Sequence, residues 1–408
     1  MPQLNIALAV IALVIILVGA FSKVVKKSLV QEPMLAVVVG VAVGPYGLGW
    51  LQIDTWGDQN TVLEQASRLT LAIGLMGVAL RLKRHSVRSL MRPATWLLTV
   101  GMLGMWLLSS LIAAWAFGLP LWAALLVGAV VTPTDPVVAS SIVTGPFAKK
   151  NLPLRVRDAL SLESGANDGL AYLFVMLAIF MVQHDADEAW GRWAVQSVAT
   201  GLLGATVIGV AVGWSAARLL AFADKHKTVE NASLLGYTVA FSLFTLGMAA
   251  FVGADALISV FLAGLVFNFS TDRDEEHEEE HIQEAVAKLF TLPMFVIFGI
   301  ALPLAEWLQL GWPLLGACVA VLLLRRPPVL ALLLPLLRPT LQPRDVAFLG
   351  WFGPIGIAAV YYAALARGHT EDPTIWYAAS AMVTASIFAH GISAAPLTRL
   401  YARHSARK

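Results

Sequence analysis

The chain has 408 residues, of which 58% are hydrophobic and only 13% charged, with a formal net charge of +2. A soluble chain of this length carries roughly a quarter charged residues. With a mean hydropathy of +0.74, the composition therefore excludes an ordinary soluble domain and reads as an all-α polytopic membrane protein. The small positive balance gives no nucleic-acid signal, because the basic residues fall in short loops. One cysteine, Cys318, excludes an internal disulfide and any cysteine-based metal cluster. It reads as a small apolar packing residue.

Apolar runs long enough to cross a bilayer recur along the chain, at 4–22, 28–46, 62–82, 93–118, 119–145, 158–183 and 193–221. They continue at 230–251, 255–271, 284–304, 312–337, 344–367 and 374–400, which makes about thirteen helices. The first run has no basic region before it and is followed by Lys23, Lys26 and Lys27, so it reads as a span rather than a signal peptide. The weakest boundary is Gly118-Leu119-Pro120, where a very short turn must divide one long apolar stretch.

Loop charges alternate. Lys23/Lys26/Lys27, Arg81/Lys83/Arg84/Arg88/Arg92, Lys149/Lys150/Arg155/Arg157, Arg218/Lys225/Lys227, Arg338/Arg344 and Arg399/Arg403/Arg407/Lys408 fall on one side. The opposite loops hold Asp54/Asp58, Asp185/Asp187/Glu188, Glu306 and Glu371/Asp372. The positive-inside rule then places the N-terminus outside and the C-terminus in the cytoplasm, as an odd helix count requires, in a multi-pass cell (inner) membrane. One cytoplasmic loop, 272–281, is acidic and carries His277 and His281. It reads either as a solvated acidic helix start or as a regulatory sensor, since histidine titrates near neutrality.

Two spans carry groups that lipid cannot accommodate. One holds Thr132-Pro133-Thr134-Asp135-Pro136, and the next holds Glu163-Ser164-Gly165-Ala166-Asn167-Asp168-Gly169. Carboxylates at bilayer depth are a functional-site signal. Proline frees backbone carbonyls that only a polar cavity can satisfy. Carboxylates, an amide, hydroxyls and freed carbonyls suit a small hard cation. Residues four apart share a helix face, so Ser164 lines up with Asp168 and Glu163 with Asn167. Burial disfavours an ionised carboxylate and a bound cation favours it, so Asp168 holds either a proton or a cation. That competition, joined to alternating access, suffices for exchange.

Glu163 needs a counter-charge if it stays ionised. The arginines deep in an apolar run are Arg325 and Arg326, before Pro327-Pro328. A Glu163–Arg326 pair bridging two helices is the favoured reading, against a helix-end snorkel. Asp135 either fixes Asn167 and the loose helix ends or ligates directly, and His390 reads as a helix-packing residue. A second interruption, Gly350-Trp351-Phe352-Gly353-Pro354-Ile355-Gly356, stands seven spans after the first. Interrupted segments at matching positions of two inverted halves point to a central transport site.

Thr134-Asp135-Pro136, Glu163-Ser164-x-x-Asn167-Asp168 and Arg326-Pro327 resemble the monovalent cation:proton antiporter superfamily, in its branch of NhaP-type antiporters and sodium/proton exchangers. The resemblance covers nearly the whole chain. It implies an inverted-repeat fold with two crossed unwound helices, and a homodimer whose six-helix core moves like an elevator against a dimerisation scaffold. The scaffold would comprise 1–92 and 230–311, the core 93–183 and 312–408, and the linker helix 184–229. It further implies that Asp168 binds the cation or proton, with Ser164 and the Thr134 backbone as supporting ligands. Asp135 and Asn167 would steady the crossing, and Glu163 and Arg326 would form the interhelical pair. An asparagine at 167 implies electroneutral one-for-one exchange of Na⁺ (or Li⁺ or K⁺) for H⁺. One departure stands out: many relatives read Gly-Pro-Arg-Gly where this chain has Gly353-Pro354-Ile355-Gly356.

Two other classes compete. An intramembrane aspartyl hydrolase would use Asp135 and Asp168, but its Gly-x-Gly-Asp signature is absent. A passive cation channel would want carbonyls or charges repeated around a pore, and a single asymmetric site disfavours it. No Gly-x-x-x-x-Gly-Lys-Ser/Thr loop is present, so neither ATP drive nor any cofactor is expected.

Overall fold

A computed structural model describes residues 2–21, 30–136, 138–226, 234–271, 276–370 and 372–405. Among these the regular structure is helical throughout. In chain order the helices begin with α1 (Pro2–Ala20), α2 (Glu32–Val43), α3 (Gln59–Arg81), α4 (Arg84–Phe117) and α5 (Leu121–Val130). Two short pieces, α6 (Ser140–Val143) and α7 (Gly145–Asn151), lead to α8 (Leu154–Gln183). Helix α9 runs on through Ala186–Arg192, Trp193–Leu203 and Gly204–Lys225. Then come α10 (Leu234–Phe251), α11 (Ala256–Ser270), α12 (Glu276–Ile300), α13 (Leu304–Leu324) and α14 (Pro327–Leu337). The chain finishes with α15 (Pro343–Trp351), α16 (Ile357–His369) and α17 (Thr374–Ser405). Among the described residues, seven stretches are long and apolar enough to cross a membrane, and shorter apolar helices accompany them.

Several boundaries differ from the hydropathy reading for identifiable reasons. Helix α4 begins at Arg84 rather than 93, because the basic stretch 84–92 buries Val87 and Leu90 on one helical face and so extends the helix without raising hydropathy. The expected domain boundary at 92–93 therefore falls inside a continuous helix. Pro93 is absorbed within it, and the next turns, Leu97–Gly101, are wound wider. The doubtful turn at Gly118 is real: its φ of 63° is the left-handed region that glycine supplies, and Pro120 caps α5. The span expected as continuous over 312–337 is broken at Arg325–Arg326. Pro327 and Pro328 open α14, and neither has the N–H that would continue the hydrogen-bond ladder of α13.

Two groups of helices pack side by side. Helix α2 lies against α12, α3 against α11 and α12, and α11 against the last part of α9. In the other group α4 packs on α5 and α13, α8 on α5, α14 on α15, and α16 on α17. Helix α3 also lies along α16, so it forms part of the seam between the groups.

Small residues permit the closest approach. A Cβ on Gly40 of α2 would sit 2.2 Å from the Val296 carbonyl oxygen, and one on Gly299 of α12 would sit 2.3 Å from that of Val37. Neither neighbour is a side chain that can swing away, so the α2–α12 contact requires both glycines. Gly40→Val should destabilise the protein by about 1–3 kcal/mol or more through overpacking. The expected readout is a clearly lowered melting temperature of purified protein in detergent; an unchanged one would mean the two helices do not cross this closely.

Candidate ion-binding site

The two interrupted segments meet. Helix α5 stops at Val130 and α6 starts only at Ser140, while α15 stops at Trp351 and α16 starts at Ile357. Pro133, Pro136 and Pro354 lack the N–H that would continue either ladder. The Asp135 N–H instead donates to the Pro354 carbonyl across the crossing (2.8 Å). The contact is too close for larger residues: a Cβ on Gly356 would lie 2.1 Å from Asp135 Oδ2, and one on Gly353 would lie 2.3 Å from Arg326 Cδ.

Four helix ends therefore face each other inside the protein, and two charged side chains answer them. Asp135, fully buried, accepts the Ile357 N–H on Oδ2 (2.5 Å) and the Val138 N–H on Oδ1 (3.4 Å). Its negative charge thus lies at the start of α16 and on the chain leading into α6. Arg325, also buried, donates from Nη1 to the carbonyls of Val131 (2.6 Å) and Thr132 (3.0 Å). Its Nη2 donates to the Gly353 carbonyl. The positive charge thus lies where α5 and α15 end. An acid at N-terminal ends and a base at C-terminal ends is the favourable pairing with helix dipoles.

Residues of α17 complete the second break. Ser386 Oγ accepts the Ile355 N–H (2.7 Å), and His390 Nε2 lies 2.9 Å from the Trp351 carbonyl oxygen. His390 thus satisfies backbone freed by the break rather than merely packing, which its isolated position in an apolar span did not reveal. Ile355 is buried and apolar, and the guanidinium at this crossing comes from Arg325 on another helix. Sequence reasoning left Arg325 without a role. The available signal was arithmetic: Glu163 could take one of two adjacent arginines, and the freed carbonyls of 131–133 needed donors.

Glu163 and Arg326 form a bidentate ion pair, Nη1–Oε1 2.5 Å and Nη2–Oε2 2.6 Å, with side chains 1% and 2% exposed. Arg326 Nε also donates to the Leu349 carbonyl (2.7 Å). The pair ties α8 to α15 and to the joint between α13 and α14. Such a fork-to-fork pair is geometrically specific, and the desolvation of both charges makes each partner dependent on the other.

One turn along α8, Asn167 reaches the first break. Its Oδ1 accepts the Thr134 N–H (3.1 Å), and its Nδ2 donates to Thr134 Oγ1 (2.8 Å). Ser164 Oγ lies 3.2 Å from the same hydroxyl. Thr132 turns away, its Oγ1 donating back to the Gly128 carbonyl (2.7 Å). Asp168 is fully buried, yet both of its carboxylate oxygens lack a hydrogen-bond partner among the described residues. Its backbone carbonyl accepts from the Tyr362 hydroxyl (2.6 Å). A buried carboxylate with no partner is costly unless it binds a proton or a cation. The side chains of His277 and His281 lie outside the described residues.

The Glu163–Arg326 pair carries a direct test. Glu163→Gln strands the guanidinium and should destabilise the protein by about 3–5 kcal/mol. The double variant Glu163→Gln/Arg326→Met should recover most of that loss. Thermal melting of the purified variants checks both; a single variant that melts like the unsubstituted protein would deny the pair a structural role.

Comparison with known proteins agrees with this geometry. The family described as sodium/hydrogen exchanger, transmembrane, matches residues 9–400. The chain is 30% identical to Na(+)/H(+) antiporter 2 of Zygosaccharomyces rouxii over 372 residues, covering 87% of this chain and 46% of that one. It is 29% identical to a Na(+)/H(+) antiporter of Saccharomyces cerevisiae, over 93% of this chain and 43% of the relative. The chain thus spans less than half the length of these yeast relatives. A K(+)/H(+) antiporter NhaP of Alkalimonas amylolytica is 26% identical over 98% of this chain and 67% of its own. The fold matches the sodium proton antiporter MjNhaP1 of Methanocaldococcus jannaschii at pH 8, with a TM-score of 0.75, 18% identity, and coverage of 98% and 99% of the two chains. These relatives are transporters rather than enzymes, and a family match over nearly the full length, on an antiporter fold, places this chain in the sodium/hydrogen exchanger family.

Proposed function

We propose that this chain is a secondary antiporter that exchanges a monovalent cation for protons, with Asp168 as the group that holds each in turn. The observation that carries this reading is the bare carboxylate of Asp168, buried with both oxygens unpartnered one helical turn from Ser164. Asp135 and Glu163 already have donors. Asp168 is the carboxylate of this centre that has capacity to spare. A proton and a cation compete for it because each neutralises the same charge. Ser164 and the Thr134 hydroxyl or backbone supply further oxygens of the kind a small cation takes.

Charge balance follows from the residue beside it. Position 167 is an amide, so the site gains one charge with either cargo, and one-for-one exchange is electroneutral. Na⁺ is the proposed cation, with Li⁺ or K⁺ as alternatives, in keeping with the Na(+)/H(+) and K(+)/H(+) relatives. Access alternates when the group containing α4–α8 and α13–α17 shifts against α2, α3, α11 and α12, in the manner of an elevator. Counting each broken pair (α5/α6, α13/α14 and α15/α16) as one crossing and leaving out the seven-residue α7 gives thirteen crossings among the described residues, with the N-terminus outside and the C-terminus in the cytoplasm of a cell (inner) membrane. Helices α1 and α9 are the outward members, only 17% and 22% buried over their apolar windows. They face lipid or a second copy in the proposed homodimer.

The test uses proteoliposomes or everted vesicles holding an imposed pH gradient. Addition of Na⁺, Li⁺ or K⁺ should collapse the gradient, indifferently to membrane potential, and Asp168→Asn should abolish the effect. An Asp168→Asn protein that still exchanges would overturn the assignment.

A further inference from the structure

A cavity with room for about 100 Å³ of solvent opens in the seam between the two helix groups, at the end of the molecule that carries the basic loops. Pro136, the neighbour of Asp135 in sequence, is among its lining residues. Ser140 and Thr144 line one wall, and Glu32, Arg81 and Lys288 line the other. Glu32 is the one carboxylate among the described lining residues. It stands in the first turn of α2, and its Oε1 is 2.9 Å from Lys288 Nζ on α12, with side chains 15% and 28% exposed.

Both members of this pair line the cavity. In a cavity with low-dielectric walls, the sign of the lining charges sets the local concentration of ions. Lys288 and Arg81 repel a cation; Glu32 offsets part of that repulsion and, when it exchanges its partner, offers the cation an oxygen. We propose that Glu32 is an entry residue that sets cation affinity from this side, with Lys288 as the internal competitor for the same carboxylate. The inference rests on the exchange reading above and adds to it a residue outside the Asp168 centre. The pair lies within one helix group, α2 with α12, so changing it alters the path to the site rather than the site.

The experiment compares Glu32→Gln, Lys288→Gln and the double variant, with the apparent KM for Na⁺ measured separately from each face. Everted vesicles present the basic-loop face, and right-side-out vesicles present the other. From the basic-loop face, Glu32→Gln should raise KM about threefold to tenfold, Lys288→Gln should lower it, and the double variant should return near the starting value. Vmax and the opposite-face KM should hold constant. Added choline chloride should shrink both shifts, since salt screens partly exposed charges. A pair that merely ties helices together moves both single variants in the same direction, or changes Vmax alone; either result, or no shift at all, overturns the inference. Should Glu32→Gln fail to fold, the direction of the Lys288→Gln shift and its salt dependence decide. Intact Asp168-dependent exchange with the wrong pattern overturns this inference alone. Absence of Asp168-dependent exchange in the unsubstituted protein overturns the exchange reading and this inference with it.

Discussion

Two helices that stop inside the protein leave backbone N–H and C=O groups that lipid cannot satisfy, and the arrangement of the centre depends on how those groups are met. Asp135 receives N–H groups from both interrupted segments, and Arg325 donates to carbonyls of both. Each charged side chain therefore belongs to two segments at once. The direct backbone bond from Asp135 to Pro354, together with the glycines at 353 and 356, brings the segments close enough for that sharing. Without the two charges, the crossing would bury opposed dipole ends with nothing between them.

This economy gives Asp168 its character. The neighbouring acids are committed, Asp135 to backbone donors and Glu163 to Arg326, while Asn167 and Ser164 tie α8 to Thr134. Among the described side chains of the centre, the carboxylate of Asp168 is the one left without a hydrogen-bond partner. In the proposed exchange, a group that binds two different cargoes in turn is one that the protein itself leaves unsatisfied, held among fixed neighbours. The Asn167 amide and the Glu163–Arg326 fork supply that rigidity from the same helix that carries Asp168.

Much of this was legible in the sequence, because the strongest signals are physical exclusions. Prolines and carboxylates inside apolar runs located the breaks and the centre. Helical spacing placed Asn167 toward the broken segment, and the scarcity of deep arginines paired Arg326 with Glu163. What escaped was whatever hydropathy and spacing cannot encode. Arg325 acts on backbone carbonyls, which carry no residue signature. His390 meets a carbonyl that becomes free only because α15 ends at Trp351. The break at Arg325–Arg326 was hidden by apolar residues on both sides, although Pro327-Pro328 marked it. The start of α4 was hidden because its first turns are basic on one face and buried on the other.

The central claim is that one carboxylate alternately holds a proton and a cation, and the most direct measurement is the proton released when cation binds. Purified protein in weakly buffered detergent solution is titrated with Na⁺ while pH is recorded, alongside Asp168→Asn. The account predicts release approaching one proton per chain in acidic conditions, saturating with cation binding and absent in the variant. Saturable Na⁺ binding with no proton release, or equal release from Asp168→Asn, would contradict it.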